Sequence, residues 1–288
     1  MLNVDKNTES QTANNRLIPL CLGVAILFAA SVQQLGAADA NDVRKKIEDL
    51  SAPNEMTRVF ACQSLASVNA KDEGTAVDAL IGALGDLSGS VRLAAVTAMG
   101  KIGPGAKKAI PNIIECYQRD TVDKATVIRI LGSIGSDSTE AIEFLIEVVR
   151  GGKGDVVRPL DSKKPPKAVR QEAIVTLGKI GPKAQKCIPI LLNIVNITAI
   201  DIAHNEQIFQ ATVDALSIIG VGDKRVMSAL KPFQQGKGFP AKSKGSQAFD
   251  HAIISADSAV KRLEQSEPAT IAEPKNNMPV SRDLKNAN

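Results

Sequence analysis

The chain has no tryptophan, a single tyrosine (Tyr117) and two histidines, and its aromatic residues make up 3% of 288 positions. An aromatic cage, a base-stacking platform or a sugar-stacking surface is therefore poorly provided for. Two histidines nearly exclude a multi-histidine metal centre. The four cysteines form no C-x-x-C pair, which leaves a redox or structural-zinc motif without support. Charge of one sign is also lacking: the formal net charge of +4 falls well short of a dedicated nucleic-acid binder. What remains, 44% hydrophobic and 23% charged residues, is the composition of a folded globular protein.

Residues 1–40 do not read as the start of a folded domain. A polar stretch ends at Arg16 and an uncharged, mostly apolar run follows from Leu17 to Val32; small residues close it at Gly36-Ala37-Ala38-Asp39-Ala40. Basic flank, apolar core and A-x-A ending are the three parts of a secretory signal peptide. They predict cleavage after Ala40 or Ala38 and export to a bacterial periplasm or exterior. The alternatives are an uncleaved membrane anchor over residues 17–32, since the run approaches the lower limit for spanning a bilayer, and a buried first helix. Lipidation at Cys21 is rejected, because Leu20 stands where a small residue is needed. Maturation leaves Cys62, Cys116 and Cys187, an odd number, and these are expected to be buried free thiols acting as small hydrophobes.

The chain matches itself. Residues 90–120 and 168–198 align without a gap at an offset of 78, with 12 identities in 31 positions, among them VR, GKIGP and IP. Val91, Ala94, Ala95, Ala98, Met99 and Ile102 recur at helical spacing and predict one apolar helix face. Gly103 and Pro104 end that helix, because glycine accepts a positive φ and proline cannot continue the ladder. A second stripe follows at Ile110, Ile113, Ile114 and Tyr117, with Pro111 in its first turn, where a missing N–H costs nothing. Three further copies lie at 57–86, 124–152 and 206–236. The spacing is 46 residues from Leu131 to Leu177 and 39 from Leu177 to Leu216, so insertions interrupt the array. Lone amphipathic segments at about 41–50 and 246–265 are expected to cap the open ends. The predicted fold is all-α, an α-solenoid of about five helical hairpins with terminal capping helices. It spans residues 41–265, with an insertion at 151–168 and a disordered polar tail at 266–288.

The unit V-R-x-x-A-x-x-x-[LM]-G-K-I-G-P, a short turn, then I-P-x-[IL]-[IL], resembles the HEAT repeat, and more narrowly the short variety associated with phycobilin lyases. The resemblance implies stacked hairpins whose second helices line a concave surface. It implies little about chemistry. Metal-dependent HEAT-like hydroxylases carry paired His-Glu motifs, whereas here His204 is followed by Asn205.

On the second helices one row reads Gly82, Glu115, Glu147, Asn193 and Lys231, and a neighbouring row Ala79, Asn112, Phe144, Ile190 and Ser228. Neither assembles a nucleophile with a base or a ring of metal ligands. Glu115 and Glu147, about 10 Å apart at the usual helix-packing distance, are too far apart to share a metal without a third ligand. Phe144 and Ile190, apolar residues on an otherwise polar row, are candidate partner contacts, with Glu115 and Glu147 beside them. The insertion adds the basic residues Lys153, Arg158, Lys163, Lys164 and Lys167. Further lysines (Lys101, Lys107, Lys108, Lys179, Lys183, Lys186) cluster in the inter-helix turns along one edge. Arg58, Arg92 and Arg170 open the first helices of three units, and Lys124 takes the place in another. A helix N-terminus is the wrong end for a cation, so acidic or carbonyl partners are expected in the adjacent turns, with Asp86 and Asp120 the nearest.

These features predict an exported, non-enzymatic scaffold that binds a protein partner, with no catalytic residue, metal or cofactor and no specific nucleic acid. The alternatives are a lyase-like enzyme or enzyme subunit and a polyanion or envelope-surface binder using the basic insertion and edge.

Overall fold

The computed structural model describes residues 42–152 and 165–266, and every regular element among them is helical. In chain order these are α1 (42–49), α2 (Glu55–Leu65), α3 (Glu73–Ala83), α4 (Gly89–Ile102), α5 (Ile110–Gln118), α6 (Lys124–Ile134), α7 (Thr139–Arg150), α8 (Lys167–Ile180), α9 (Ile188–Ile200), α10 (Ile202–Ile219), α11 (Lys224–Gln234) and α12 (Gln247–Ser266). The five hairpins α2/α3, α4/α5, α6/α7, α8/α9 and α10/α11 coincide with the five sequence units, and α1 and α12 with the two flanking segments. The fold is an all-α solenoid of helical hairpins. Residues 1–41, on which the signal-peptide expectation falls, residues 153–164 of the insertion and the tail from 267 lie outside the described residues. Among the described residues no helix is long and apolar enough to cross a membrane.

The chain divides into two compact units, one ending at Lys183 and the other beginning at Ala184. In the first, the helices that open successive repeats pack on one another, α2 on α4, α4 on α6 and α6 on α8. The apolar stripe read from the sequence is their shared core: Val91, Ala95 and Met99 are fully buried, as are Leu65, Leu131 and Leu177 at the repeating leucine position. The glycine that follows this position marks the closest approach of the helices. A Cβ on Gly100 of α4 would lie 2.2 Å from Ile130 Cδ1 of α6, and one on Gly132 of α6 would lie 2.3 Å from Thr176 Cγ2 of α8. Ile130 and Thr176 each precede the repeat leucine, so the contact recurs in register.

The second glycine of the GKIGP element does what its spacing predicts where proline follows it. Gly103 and Gly181 sit at φ 72° and 74°, and each opens a seven-residue 3-10 segment leading to the second helix. Gly135 and Gly220, which lack the proline, end their helices at φ −102° and −91°.

The basic residues at the helix starts form a ladder. Arg58 Nε and Nη2 donate to Asp86 Oδ2 and Oδ1 at 2.8 and 3.0 Å, while its Nη1 donates to the Ala52 and Pro53 carbonyls. Arg92 repeats the local half of this arrangement: Nη1 donates to the Asp86 and Leu87 carbonyls, and Nε reaches forward to the Thr121 carbonyl at 3.1 Å. Lys124 binds Asp120 at 2.8 Å, and Arg170 occupies the same position fully buried. Arg58 and Arg92 thus satisfy carbonyls of the turn that precedes their own helix, and both also hold the next turn in place.

The Arg58 guanidinium holds the Asp86 carboxyl below the usual carboxylate range, with the Ser88 N–H acting in the same direction. A carboxyl whose folded pKa is depressed adds stability above its unfolded pKa of about 4 and loses it as pH falls through the lower folded value. Asp86→Asn is therefore expected to unfold at lower urea than the parent at neutral pH. The gap should close as pH drops below about 4. A gap that does not change with pH would dismiss the ion pair as its source.

In the second unit α10 packs on α9 and α12, and α11 on α12. Its centre is a cluster of four phenylalanines. Phe209 of α10 lies 5.5 Å from Phe233 of α11 and 5.4 Å from Phe239, which stands in the α11–α12 connection. Phe239 lies in turn 5.2 Å from Phe233 and 5.3 Å from Phe249 of α12 (ring centroids). More than half of the chain's seven phenylalanines are spent here, which gives the capping helix an aromatic anchor.

Candidate functional site

The second-helix side of the first unit carries two grooves one repeat apart. The smaller, about 170 Å³, lies between the end of α3 and α5 and is bordered by Leu84, Gly85, Asn112, Glu115 and Arg119. The larger, about 400 Å³, lies between the end of α5 and α7 and reaches Pro165 and Pro166 at the entry to α8. Tyr117, Phe144 and Val148 supply its apolar surface, and Asp120, Lys124 and Glu147 its charged groups.

Local chemistry fixes these side chains. Tyr117 closes the apolar stripe of α5, and its ring meets Phe144 edge-on at 5.1 Å between centroids. Asp120 follows α5 at φ 57°, a left-handed conformation that aspartate tolerates, and from there it binds Lys124. The Lys124 ammonium lies 5.5 Å from the centre of the Tyr117 ring, a cation–aromatic contact. Burial, with the Asp120 charge adding, pushes the Tyr117 phenol up to about 12, so it is a neutral hydroxyl at any physiological pH. Glu147 lies half-exposed on the last turn of α7, and Gly151 ends that helix at φ 91°.

The structure brings Phe144 and Glu147 into this groove and places Glu115 in its smaller neighbour, paired with Arg119 at 2.7 Å. Phe144 and Ile190, the two candidate partner contacts of the apolar row, are both largely buried. Phe144 is only 9% exposed, because α7 buries most of its circumference and packs on α5, α6 and α8. Ile190 is 8% exposed on α9, a helix apolar almost all round that packs on α10 and α11 in the second unit. Lys167 is the first residue of α8, whereas Lys153, Arg158, Lys163 and Lys164 lie outside the described residues. Tyr117 and Asp120, which complete the groove, were not among the sequence candidates. Tyr117 was read only as a core position, although its place one turn after Ile114 at the end of the stripe was the available signal.

The basic edge is partly consumed by the stack. Lys108 binds Asp78 at 2.7 Å and the Gly74 carbonyl, Lys107 donates to the Asp137 carbonyl, and Lys183 pairs with the Asp137 carboxylate. Cys62, Cys116 and Cys187 are free and buried, and burial pushes the thiols of Cys62 and Cys187 up to about 11 and 12. Among the described residues no three His, Cys, Asp or Glu side chains converge as metal ligands. His204 pairs with Asp201 and His251 with Glu206, both within the second unit. The groove lining contains no serine, cysteine or histidine among the described residues.

No curated protein matches this chain. Among solved structures it is similar to an engineered protein at 21% identity, over 78% of this chain and 99% of that one, with a TM-score of 0.48. A second engineered protein is 20% identical over 78% and 97%, TM-score 0.45. A designed armadillo repeat protein is 14% identical over 76% and 98%, also with a TM-score of 0.45. Residues 43–126, from α1 through the first two hairpins into α6, match the family model of HEAT repeats. The matched stretch holds the first two of the five hairpins, and the three that follow repeat the same helix–turn–helix arrangement.

Proposed function

We propose that the chain is an exported, non-enzymatic scaffold that binds a protein partner through the Tyr117–Phe144 groove. The observation that carries this reading is the groove itself. It is an apolar, aromatic-floored recess on second helices with a charged rim, of a size that takes side chains of a partner segment. Its hydroxyl is a neutral phenol, and among the described residues that line it there is no serine, cysteine or histidine. Export is supported by the apolar run at residues 17–32 with its A-x-A ending, and burial of the three free thiols is compatible with it. Polyanion binding is less favoured, since Lys107, Lys108 and Lys183 are engaged with neighbouring repeats.

The test is to recover the full-length product from the exported fraction of a bacterial host, read its N-terminus by mass, and pan it against a random heptapeptide display library. The expected result is a chain beginning at Asn41 or Asp39 that enriches peptides whose binding is lost in Tyr117→Ala and Phe144→Ala. Enrichment indifferent to both substitutions would remove the groove from the reading, and retention in the cytoplasm would remove export.

A further inference from the structure

The two grooves occupy equivalent positions in successive repeats. An offset of 33 takes Leu84 and Gly85 of the smaller groove to Tyr117 and Gln118 of the larger. An offset of 32 takes Asn112, Glu115 and Arg119 to Phe144, Glu147 and Gly151. Each groove thus keeps a glutamate at one position, and the surroundings of that glutamate differ in two ways.

In the smaller groove the chain supplies the counter-charge. Arg119, one turn after Glu115, places Nη2 2.7 Å from its carboxylate. In the larger groove the corresponding position is Gly151, which has no side chain and turns out of the helix. Glu147 makes no ion pair or side-chain hydrogen bond among the described residues. The floor changes at the same time, from Leu84 and Asn112 to Tyr117 and Phe144. The volume grows from about 170 to about 400 Å³, which is room for a long side chain and part of its backbone.

A half-exposed carboxylate at the rim of an aromatic floor is matched by one side-chain chemistry, a cation on an aliphatic stem. The methylenes cover the rings while the head group reaches the acid. The chain already shows this match within the same groove, where Lys124 lies against Tyr117 and binds Asp120.

Resting on the groove reading above, we infer that the α5–α7 groove takes an arginine or lysine side chain from an extended segment of the partner. Its charged head pairs with Glu147, and its stem lies on Tyr117 and Phe144. The partner supplies in the third repeat the cation that Arg119 supplies in the second.

The test uses the purified full chain and fluorescence polarisation of labelled peptides of the form Gly-Ser-Leu-X-Leu-Ser-Gly, with arginine, lysine, citrulline or glutamate at X. Citrulline keeps the shape of arginine without its charge. Arginine and lysine peptides are expected to bind about tenfold or more tightly than citrulline and glutamate peptides, the range of a charge-assisted hydrogen bond. Glu147→Gln should abolish that preference, and Glu115→Gln should leave it intact. If citrulline equals arginine, or Glu147→Gln leaves the preference unchanged, the inference is overturned, as it is if no cationic peptide binds. It is overturned too if arginine peptides bind only after Arg158, Lys163 and Lys164 are changed to glutamine, because the chain itself would then provide the cation. Peptides that lose binding in Tyr117→Ala but do not distinguish arginine from citrulline would overturn the cation alone and leave the groove standing.

Discussion

Phe209→Ala is expected to destabilise the C-terminal unit by about 3–5 kcal/mol, the range for emptying a phenylalanine site in a packed core. Phe209 is fully buried and touches two other rings of the cluster, one on α11 and one in the connection to α12. Removing it leaves a cavity where α10, α11 and the connection that carries Phe239 meet. A domain with about 5–15 kcal/mol in total loses a large fraction of its stability in this way. The two units can be followed separately. The single tyrosine, Tyr117, belongs to the first unit and reports it by fluorescence, while far-UV circular dichroism reports helices of both. The expected result is a dichroism transition that moves to lower urea and separates from the tyrosine transition. A midpoint unchanged within error would mean that the cluster is not the anchor of the C-terminal cap.

Gly132→Val is expected to cost about 3 kcal/mol, the upper part of the range for forcing atoms into a close-packed contact. A Cβ at this position meets Thr176 Cγ2 at 2.3 Å, and Thr176 is buried with a β-branched side chain that has little freedom to turn. The helices α6 and α8 must therefore separate, and the strain falls on the step between the third and fourth repeats. The attribution is checked by a double-mutant cycle. Gly132→Ala alone should be destabilising, although alanine favours a helix interior by about 0.8–1.0 kcal/mol over glycine. In a Thr176→Ser background, which removes Cγ2, the same substitution should become neutral or stabilising. Additive effects of the two changes would show that the contact does not set the helix separation.

The hairpins were legible because periodicity and punctuation agree: an apolar stripe, Gly-Pro, then a stripe opened by Ile-Pro. The basic ladder was legible for a different reason, namely that cations at helix starts demand acceptors, and Asp86 and Asp120 were within reach. The role of the first glycine in the repeat was hidden. Its justification is the approach of Ile130 or Thr176 from the following repeat, a tertiary fact that no local pattern contains. Phe144 was legible as an apolar residue on a polar row, but its edge-on contact with Tyr117 of the preceding hairpin is tertiary and carries no local signal. Phe239 was invisible, since a lone phenylalanine between glycine and proline carries no periodic signal. The difference between Glu115 and Glu147 could be read from the alignment of Arg119 with Gly151, yet it acquired meaning only once each was seen to line a groove.

The buried thiols give the chain a set of internal clocks. Cys62 lies in the first repeat, Cys116 in the second and Cys187 in the turn of the fourth, each shielded from solvent. A small thiol reagent can reach one of them only when its own stretch of the stack opens, so each labelling rate measures a local opening free energy. Because a solenoid is held by contacts between neighbours, the three rates together trace how far an opening at one end spreads along the array.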